Sequence, residues 1–144
     1  MNDEERIHEG MNVRRAVLGD VHVDRALKSA GPFEAEFQDF ITRYAWGEIW
    51  TRPGLPRHTR SLLTIGMMVA LNRPGELRLH LRAAAANNGV SRDEIKEVLL
   101  QCAIYCGIPA ANSAFHDASE IFAQMDSESE AARHHTAAPE DRPR

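Results

Sequence analysis

One predicted helix carries side chains that could transfer a proton. Arg73, Glu76 and His80 are spaced by three or four residues, so they lie on one face of that helix. The spacing would let the Glu76 carboxylate orient the His80 imidazole and raise its pKa. An ordinary solvent-exposed ion pair has the same spacing, and by spacing alone it is the favoured interpretation. Leu77 and Leu81 flank His80, however, and place its ring near the buried edge of the helix, which favours a functional site.

A second candidate segment concentrates aromatic, acidic and basic side chains around rigid turn residues. It reads WGEIWTRPGLPRHTR, and its prolines and glycine predict that residues 51–60 form a loop. Its candidate site residues are Trp46, Glu48, Trp50, Arg52, Arg57 and Arg60. Neighbouring tryptophans suit the wall of a small pocket, and guanidinium groups suit carboxylate ligands. A solvent-exposed loop anchored by its tryptophans is the alternative interpretation.

Cys102 and Cys106 are the only cysteines and lie four residues apart in a predicted helix. One helix rarely gives the geometry that a disulfide needs, so buried thiols are favoured over a redox pair. The histidines His58, His80 and His116 lack the tight ligand spacing of a metal site, so no bound metal is expected.

The elements that must position these side chains are predicted to be helices only. Six to seven segments have apolar residues at helical spacing, and no stretch alternates long enough to predict a strand, so the fold class is all-α. One helix is predicted from Pro32 to about Trp50, and the apolar residues 62–71 predict a central buried helix. Ser91 and Glu94 have the spacing of a capping box that opens a later helix.

Length and composition predict one soluble domain. The chain has 144 residues, of which 43% are hydrophobic, and we expect a single domain over residues 1–126 with a disordered polar tail over 127–144. The net charge of −4 argues against nucleic acid, and no apolar run approaches the roughly 20 residues of a membrane span. The polar N-terminus resembles no signal peptide, so we expect a cytoplasmic protein. Its apolar helix and the alanine-rich residues 83–86 predict a homo-oligomer.

Long strings within residues 5–125 resemble the carboxymuconolactone decarboxylase family. They are GMNVRRAVLGDVHVDRAL, ITRYAWGEIWTRPGLPRHTRSLLTIGMMVALNR, ELRLHLRAA and NNGVSRDEIKEVLLQCAIYCGIPAANSAFH. The resemblance implies an AhpD-like helical bundle that assembles as a trimer or hexamer. It also implies decarboxylation of 4-carboxymuconolactone to β-ketoadipate enol-lactone, in the protocatechuate branch of aromatic catabolism. No cofactor is implied, because the conjugated lactone carbonyl of such a substrate accepts the electrons that CO₂ leaves behind.

The same resemblance argues against a redox function. Redox members of the wider AhpD-like superfamily carry a C-x-x-C-x-x-x-H signature on the equivalent helix. Here His80 stands at the histidine position, whereas Arg73 and Glu76 stand at the cysteine positions. A thiol peroxidase or disulfide reductase of the AhpD type is kept as a less favoured alternative function. A non-catalytic helical assembly of the same superfamily is another alternative.

The implied substrate is a lactone with two carboxylates, which assigns roles to the candidate residues. We predict that His80 is the proton donor or the oxyanion partner, oriented by Glu76 or Glu48. Glu48 is also an alternative to His80 as the general acid. The predicted substrate-binding residues are Arg52, Arg57, Arg60 and Arg73, with Trp46 and Trp50 as pocket walls.

Overall fold

The computed structural model describes residues 1–136, which are helical almost throughout. The elements are α1 (Asp3–Leu18), α2 (Asp20–Ser29), α3 (Ala35–Ile41), a π-helical segment (Thr42–Ile49), α4 (Arg57–Ala70), α5 (Pro74–Asn87), α6 (Arg92–Tyr105) and α7 (Ile108–Thr136). The described residues contain seven α-helices and no strand, which confirms the all-α prediction. Within the same range, no helix has both the length and the apolar character needed to cross a membrane.

The helix α5 lies between two hydrophobic clusters and contributes to both. Leu77, Leu81 and Ala84 pack into a cluster with α4, α6 and α7. Ala83 belongs to a second cluster, formed by α1, α2 and the π-helical segment. Because burial of both faces stabilises α5, this helix is a rigid platform for His80, which projects near the boundary between the clusters.

The closest helix contact in the fold joins α1 to the π-helical segment. A Cβ atom added to Gly10 would lie 2.0 Å from the carbonyl oxygen of Thr42, and one added to Gly47 would lie 2.4 Å from the carbonyl oxygen of Arg6. Only glycine at these two positions permits the backbones to approach so closely. The contact therefore fixes where the π-helical segment presents Trp46, which is buried against α1.

The predicted helix from Pro32 to Trp50 changes its geometry at Thr42. The Thr42 hydroxyl donates to the Gln38 carbonyl at 2.8 Å and accepts a hydrogen bond from Arg14 at 3.3 Å. Such side-chain bonds to the preceding turn compete with the regular ladder, and π-helical turns are frequent at functional sites. Sequence spacing did not predict this segment, because an α-helix was assumed throughout.

Two expectations about α4 were wrong. The loop ends at Pro56, whose extended backbone precedes the helix, so residues 57–60 form the first turn of α4 and not part of the loop. Nor is this apolar segment buried on all sides, because Leu63 and Met67 of α4 are 46% and 54% exposed, and Leu71 directly after the helix is 62% exposed. The three helices α5, α6 and α7 cover only the face of α4 that carries Ile65 and Val69.

The capping box at α6 is confirmed, whereas the expected tail differs from the structure. The Ser91 side chain accepts from the Glu94 backbone, and the Glu94 side chain accepts from the Ser91 backbone, at 3.0 Å each. The last helix continues to Thr136, so residues 127–136 are helical where we expected disorder. The remainder of the expected tail, residues 137–144, lies outside the described residues.

Candidate active site

The structure brings Trp46, Trp50 and His80 together from different parts of the sequence. The ring centroids of Trp46 and Trp50 are 5.2 Å apart, with 32° between the planes. The Trp50 ring is stacked nearly parallel to the His80 imidazole, with 6.5 Å between centroids and 12° between planes. The helix α5 and the π-helical segment thus place the two predicted pocket walls beside the predicted catalytic histidine.

Burial keeps His80 neutral in the folded chain. Desolvation, followed by the charge of His22, lowers the pKa of His80 to about 4, and Glu76 opposes this shift only weakly. Glu76 does act to raise the pKa of His80, as expected, but the net shift is downward, because the cost of burying a charged ring exceeds the attraction of one exposed carboxylate. A neutral imidazole keeps one N–H donor and one acceptor nitrogen.

The lowered pKa predicts a loss of stability in mild acid that depends on His80. Between about pH 6.5 and pH 4 the unfolded chain protonates this residue and the folded chain does not, so the free energy of unfolding falls as the pH falls. The loss approaches about 3 kcal/mol at pH 4 and vanishes above pH 6.5. Urea unfolding of the wild type and His80→Gln at pH 7.5, 5.5 and 4.5 measures it. Equal pH dependence in the two proteins would contradict the assignment.

Neither predicted acidic partner forms a hydrogen bond or ion pair with His80 among the described residues. The Glu48 carboxylate instead accepts a hydrogen bond from the Arg6 Nε at 3.1 Å, which ties the π-helical segment to α1. Glu76 is exposed, and within residues 1–136 no hydrogen bond joins either carboxylate to the imidazole. Orientation of His80 therefore comes from its stacking on Trp50.

Three of the predicted arginines gather around the loop after Trp50. A cavity of about 420 Å³ is lined by Trp50, Arg52 and Arg57, with Glu9 and Val13 of α1 among its other walls.

Arg60 supports this loop from the first turn of α4. Its Nη2 donates to the Arg52 carbonyl at 3.2 Å, while its Nε is buried without a hydrogen-bond partner among the described residues. A buried donor without a partner is costly, and a carboxylate ligand would satisfy it.

Arg73 lies apart from this group. It occupies the N-cap position of α5 and is exposed, and it does not line the cavity beside Trp50. Its side chain forms no ion pair in the part of the chain that the structure describes. The structure thus assembles the tryptophans, His80, Arg52, Arg57 and Arg60 into one region, but not Arg73.

The sequence interpretation missed Arg14 and His22, which lie on α1 and α2. Arg14 is 3% exposed and donates to Gln38 Oε1 at 2.9 Å. Its position between Val13 and Val17 on the buried face of α1 is a signal that could have been noticed, because charged residues rarely occupy apolar stripes. His22 offers no comparable signal in the sequence.

The cysteines have the environment of structural thiols. Cys102 is buried, and burial raises the pKa of its thiol, with a smaller effect from Cys106. A raised pKa reduces the thiolate fraction that redox chemistry needs. Both cysteines belong to the α6 region and not to the α5 face that carries His80.

Comparisons with known proteins agree with the resemblance seen in the sequence. A model of the Carboxymuconolactone decarboxylase family matches residues 35–120. The chain is 55% identical over 125 residues to 4-carboxymuconolactone decarboxylase from Acinetobacter baylyi, covering 87% of this chain and 92% of that protein. It is 48% identical over 106 residues to nitrosuccinic acid decarboxylase from Metarhizium robertsii, covering 74% of this chain and 73% of that protein. A 4-carboxymuconolactone decarboxylase sequence from Pseudomonas putida is 54% identical over 48 residues, which are 33% of this chain and all of that sequence. With an aromatic-histidine site on an all-helical scaffold and relatives of this similarity, the chain belongs to the carboxymuconolactone decarboxylase family.

Proposed function

We propose that this protein decarboxylates 4-carboxymuconolactone to β-ketoadipate enol-lactone without a cofactor, in the protocatechuate branch of aromatic catabolism. The observation that carries the proposal is the neutral His80 stacked on Trp50 beside an arginine-lined cavity. The relatives support the reaction type, since the Acinetobacter baylyi and Metarhizium robertsii proteins are both named as decarboxylases of organic acids.

The substrate itself can hold the electrons released on CO₂ loss. The bond between the ring carbon and its carboxylate breaks, and the electron pair moves through the conjugated double bond onto the lactone carbonyl oxygen. CO₂ leaves as a neutral molecule, and a proton then adds to the carbon next to the carbonyl. The protein has to hold the retained carboxylate, stabilise the oxygen that becomes negative, and supply the proton.

The site residues divide these tasks according to their surroundings. His80, whose pKa is about 4, acts as an N–H donor to the developing oxyanion rather than as an imidazolium acid. Arg52 and Arg57, which line the cavity, hold the retained carboxylate together with Arg60, which is hydrogen-bonded to the Arg52 carbonyl, while the tryptophans keep the departing carboxylate poorly solvated. Glu48 stays the proposed general acid; its carboxylate is held on the π-helical segment by Arg6 and has to take up a proton from solvent before each turnover.

Substrate competition tests this proposal. We expect turnover of 4-carboxymuconolactone with a higher kcat/KM than nitrosuccinate, because the lactone carbonyl supplies the electron sink that His80 serves. We also expect no peroxidase turnover with a dithiol donor, since the α5 face lacks cysteines and Cys102 is a buried thiol. Hydroperoxide turnover that is lost in Cys102→Ser or Cys106→Ser would instead support the AhpD-type alternative.

We also propose that the chain forms a homo-oligomer, a trimer or hexamer, in the cytoplasm. Two apolar faces of the described chain are left exposed. One is an aromatic ridge on α3 and its flanks, where Phe33, Phe37 and Phe40 are 99%, 61% and 55% exposed. The other is a groove of about 770 Å³ between α4 and α6, whose walls include Leu63 and Met67. A ridge and a groove on one chain suit head-to-tail association, which closes into rings.

Introduction of a negative charge on either apolar face should dissociate this assembly. We expect Phe37→Glu and Met67→Glu to shift the molar mass toward that of one chain, because each buries a carboxylate in an apolar contact. Light scattering after size exclusion measures the mass, with Ala123→Glu on the exposed side of α7 as the matched control. A wild type that elutes as a monomer would contradict the oligomer proposal.

A further inference from the structure

A second, larger cavity lies at the junction of α1 and α2, against the helix α5 that carries His80. It measures about 810 Å³, and its walls include His22 on α2 and Leu79 and Ala83 on α5. Leu79 directly precedes His80, and Ala83 lies one turn further along the same helix. His22 is near enough to His80 for a charge on one ring to disfavour a charge on the other. His22 therefore lines a cavity bounded by the helix that carries His80, and the charges of the two rings interact.

Positive charge without an acidic partner surrounds His22. Arg14 and Arg25 both disfavour its protonation, and neither arginine forms an ion pair within residues 1–136. Arg14 is nearly inaccessible, and its guanidinium donates only to the neutral oxygens of Gln38 and Thr42, while its Nε has no partner. A buried cation without a counter-charge is unfavourable, so this arrangement suits negative charge in the neighbouring space.

The other charged residues at this cavity are already neutralised. Arg78 pairs with Asp117 and Glu120 at 2.7 and 2.9 Å, and Arg82 pairs with Glu128 at 2.7 Å. The Asp20 carboxylate in its wall is held by Arg15 at 3.0 Å. The unbalanced positive charge is thus confined to the side of the cavity where His22 and Arg25 lie.

We propose that His22 is a second histidine of the active site, which donates a hydrogen bond to the lactone oxygen that becomes negative when CO₂ leaves. Arg14 and Arg25 are positioning residues that favour the negative charge through their own charges. The inference rests on the proposed decarboxylation and adds no step to it: the electron pair released by the breaking carbon–carbon bond comes to rest on the oxygen that His22 faces.

The protonation state of His22 agrees with this role. Burial, then Arg14 and Arg25, lower its pKa, so the imidazole is neutral and retains one N–H donor at neutral pH. Two neutral donors, His22 and His80, would share the developing charge without the repulsion that two cationic rings would suffer. Neutral imidazole donors suit enolate-like oxygens, since proton transfer does not have to accompany the hydrogen bond.

A pair of small lactones tests the inference without relying on turnover. Tetronate is the enolate of a five-membered lactone and is anionic at neutral pH, whereas 2(5H)-furanone has the same ring without the negative oxygen. We expect the wild type to bind tetronate more tightly than furanone in calorimetric titrations. His22→Leu should lose about tenfold or more of the tetronate affinity and keep its furanone affinity, because one charge-assisted hydrogen bond is removed. His22→Gln keeps an N–H donor and should retain most of the preference.

The controls separate a site residue from a structural one. His116→Leu replaces an exposed histidine of α7 and should leave both affinities unchanged. With 4-carboxymuconolactone, His22→Leu should lower kcat about a hundredfold with little change in KM. An equal loss of affinity for both ligands in His22→Leu, or an unchanged preference of that variant for tetronate over furanone, would overturn the inference.

The two proposals can fail separately. A wild type that decarboxylates 4-carboxymuconolactone but shows no preference for tetronate overturns the role of His22 and leaves the decarboxylase standing. A wild type that prefers tetronate through His22 but releases no CO₂ supports this anion site and overturns the decarboxylase proposal.

Discussion

Replacing His80 with Ala lowers kcat/KM for 4-carboxymuconolactone at least about a hundredfold. The substitution removes the N–H donor that faces the developing oxyanion, and it also removes the ring stacked on Trp50. Since the donor acts mainly in the transition state, most of the loss should appear in kcat rather than in KM. Steady-state kinetics at pH 7.5, with CO₂ release as the readout, measure both parameters.

We expect His80→Ala to keep the wild-type fold, so that a loss of activity can be attributed to the site. His80 lies between two hydrophobic clusters but belongs to neither, and Leu77, Leu81 and Ala83 hold α5 in place. Circular dichroism and the thermal midpoint should stay close to those of the wild type. His116→Ala, on the exposed side of α7, is the matched control and should retain full activity. Near-wild-type turnover by His80→Ala would remove His80 from the mechanism.

Gly10→Ala should destabilise the protein by about 3 kcal/mol or more, although Ala is the better helix former. Its Cβ atom would lie 2.0 Å from the Thr42 carbonyl oxygen and 2.9 Å from the Gly47 nitrogen, both of them backbone atoms that no rotamer change can move. The π-helical segment must shift away from α1, and the Trp46–Trp50–His80 stack loses its geometry. We therefore expect a thermal midpoint lower by roughly 10 °C and a large loss of kcat/KM.

Gly75→Ala is the matched control for this steric argument. Gly75 is also helical, but a Cβ atom there would meet nothing within 4 Å. Its replacement should leave the midpoint unchanged or raise it slightly, because Ala loses less backbone entropy on folding. A Gly10→Ala protein as stable as the Gly75→Ala protein would show that the α1 contact does not hold the site together.

The fold class could be predicted from the sequence because it depends on local patterns. Apolar residues at helical spacing predicted the helices, and the Ser91–Glu94 capping box marked the start of α6 correctly. The closeness of His80 to the tryptophans also followed from the predicted segments, once the family resemblance had related them. The helices and the capping box require only short stretches of chain, in which side-chain spacing determines geometry.

The remaining features depend on contacts between distant residues. The π-helical segment arises where Thr42 meets Arg14 and where Gly10 meets Gly47, and no spacing rule contains those pairs. The net downward shift in the pKa of His80 comes mainly from burial by neighbouring helices, which the local Glu76 spacing does not contain, although Glu76 itself acts in the expected direction. The exposed face of α4 likewise could not be predicted from apolar content, which does not distinguish a buried face from an exposed one.

The most direct test of the account is to follow decarboxylation of 4-carboxymuconolactone in D₂O with no cofactor added. We expect one CO₂ released for each enol-lactone formed, with one deuterium placed on a single face of the carbon next to the carbonyl, because a positioned donor protonates the dienolate. NMR of the product and a coupled CO₂ assay give both quantities. Absence of CO₂ release from the folded wild type would contradict the proposal that this family member is a cofactor-independent decarboxylase.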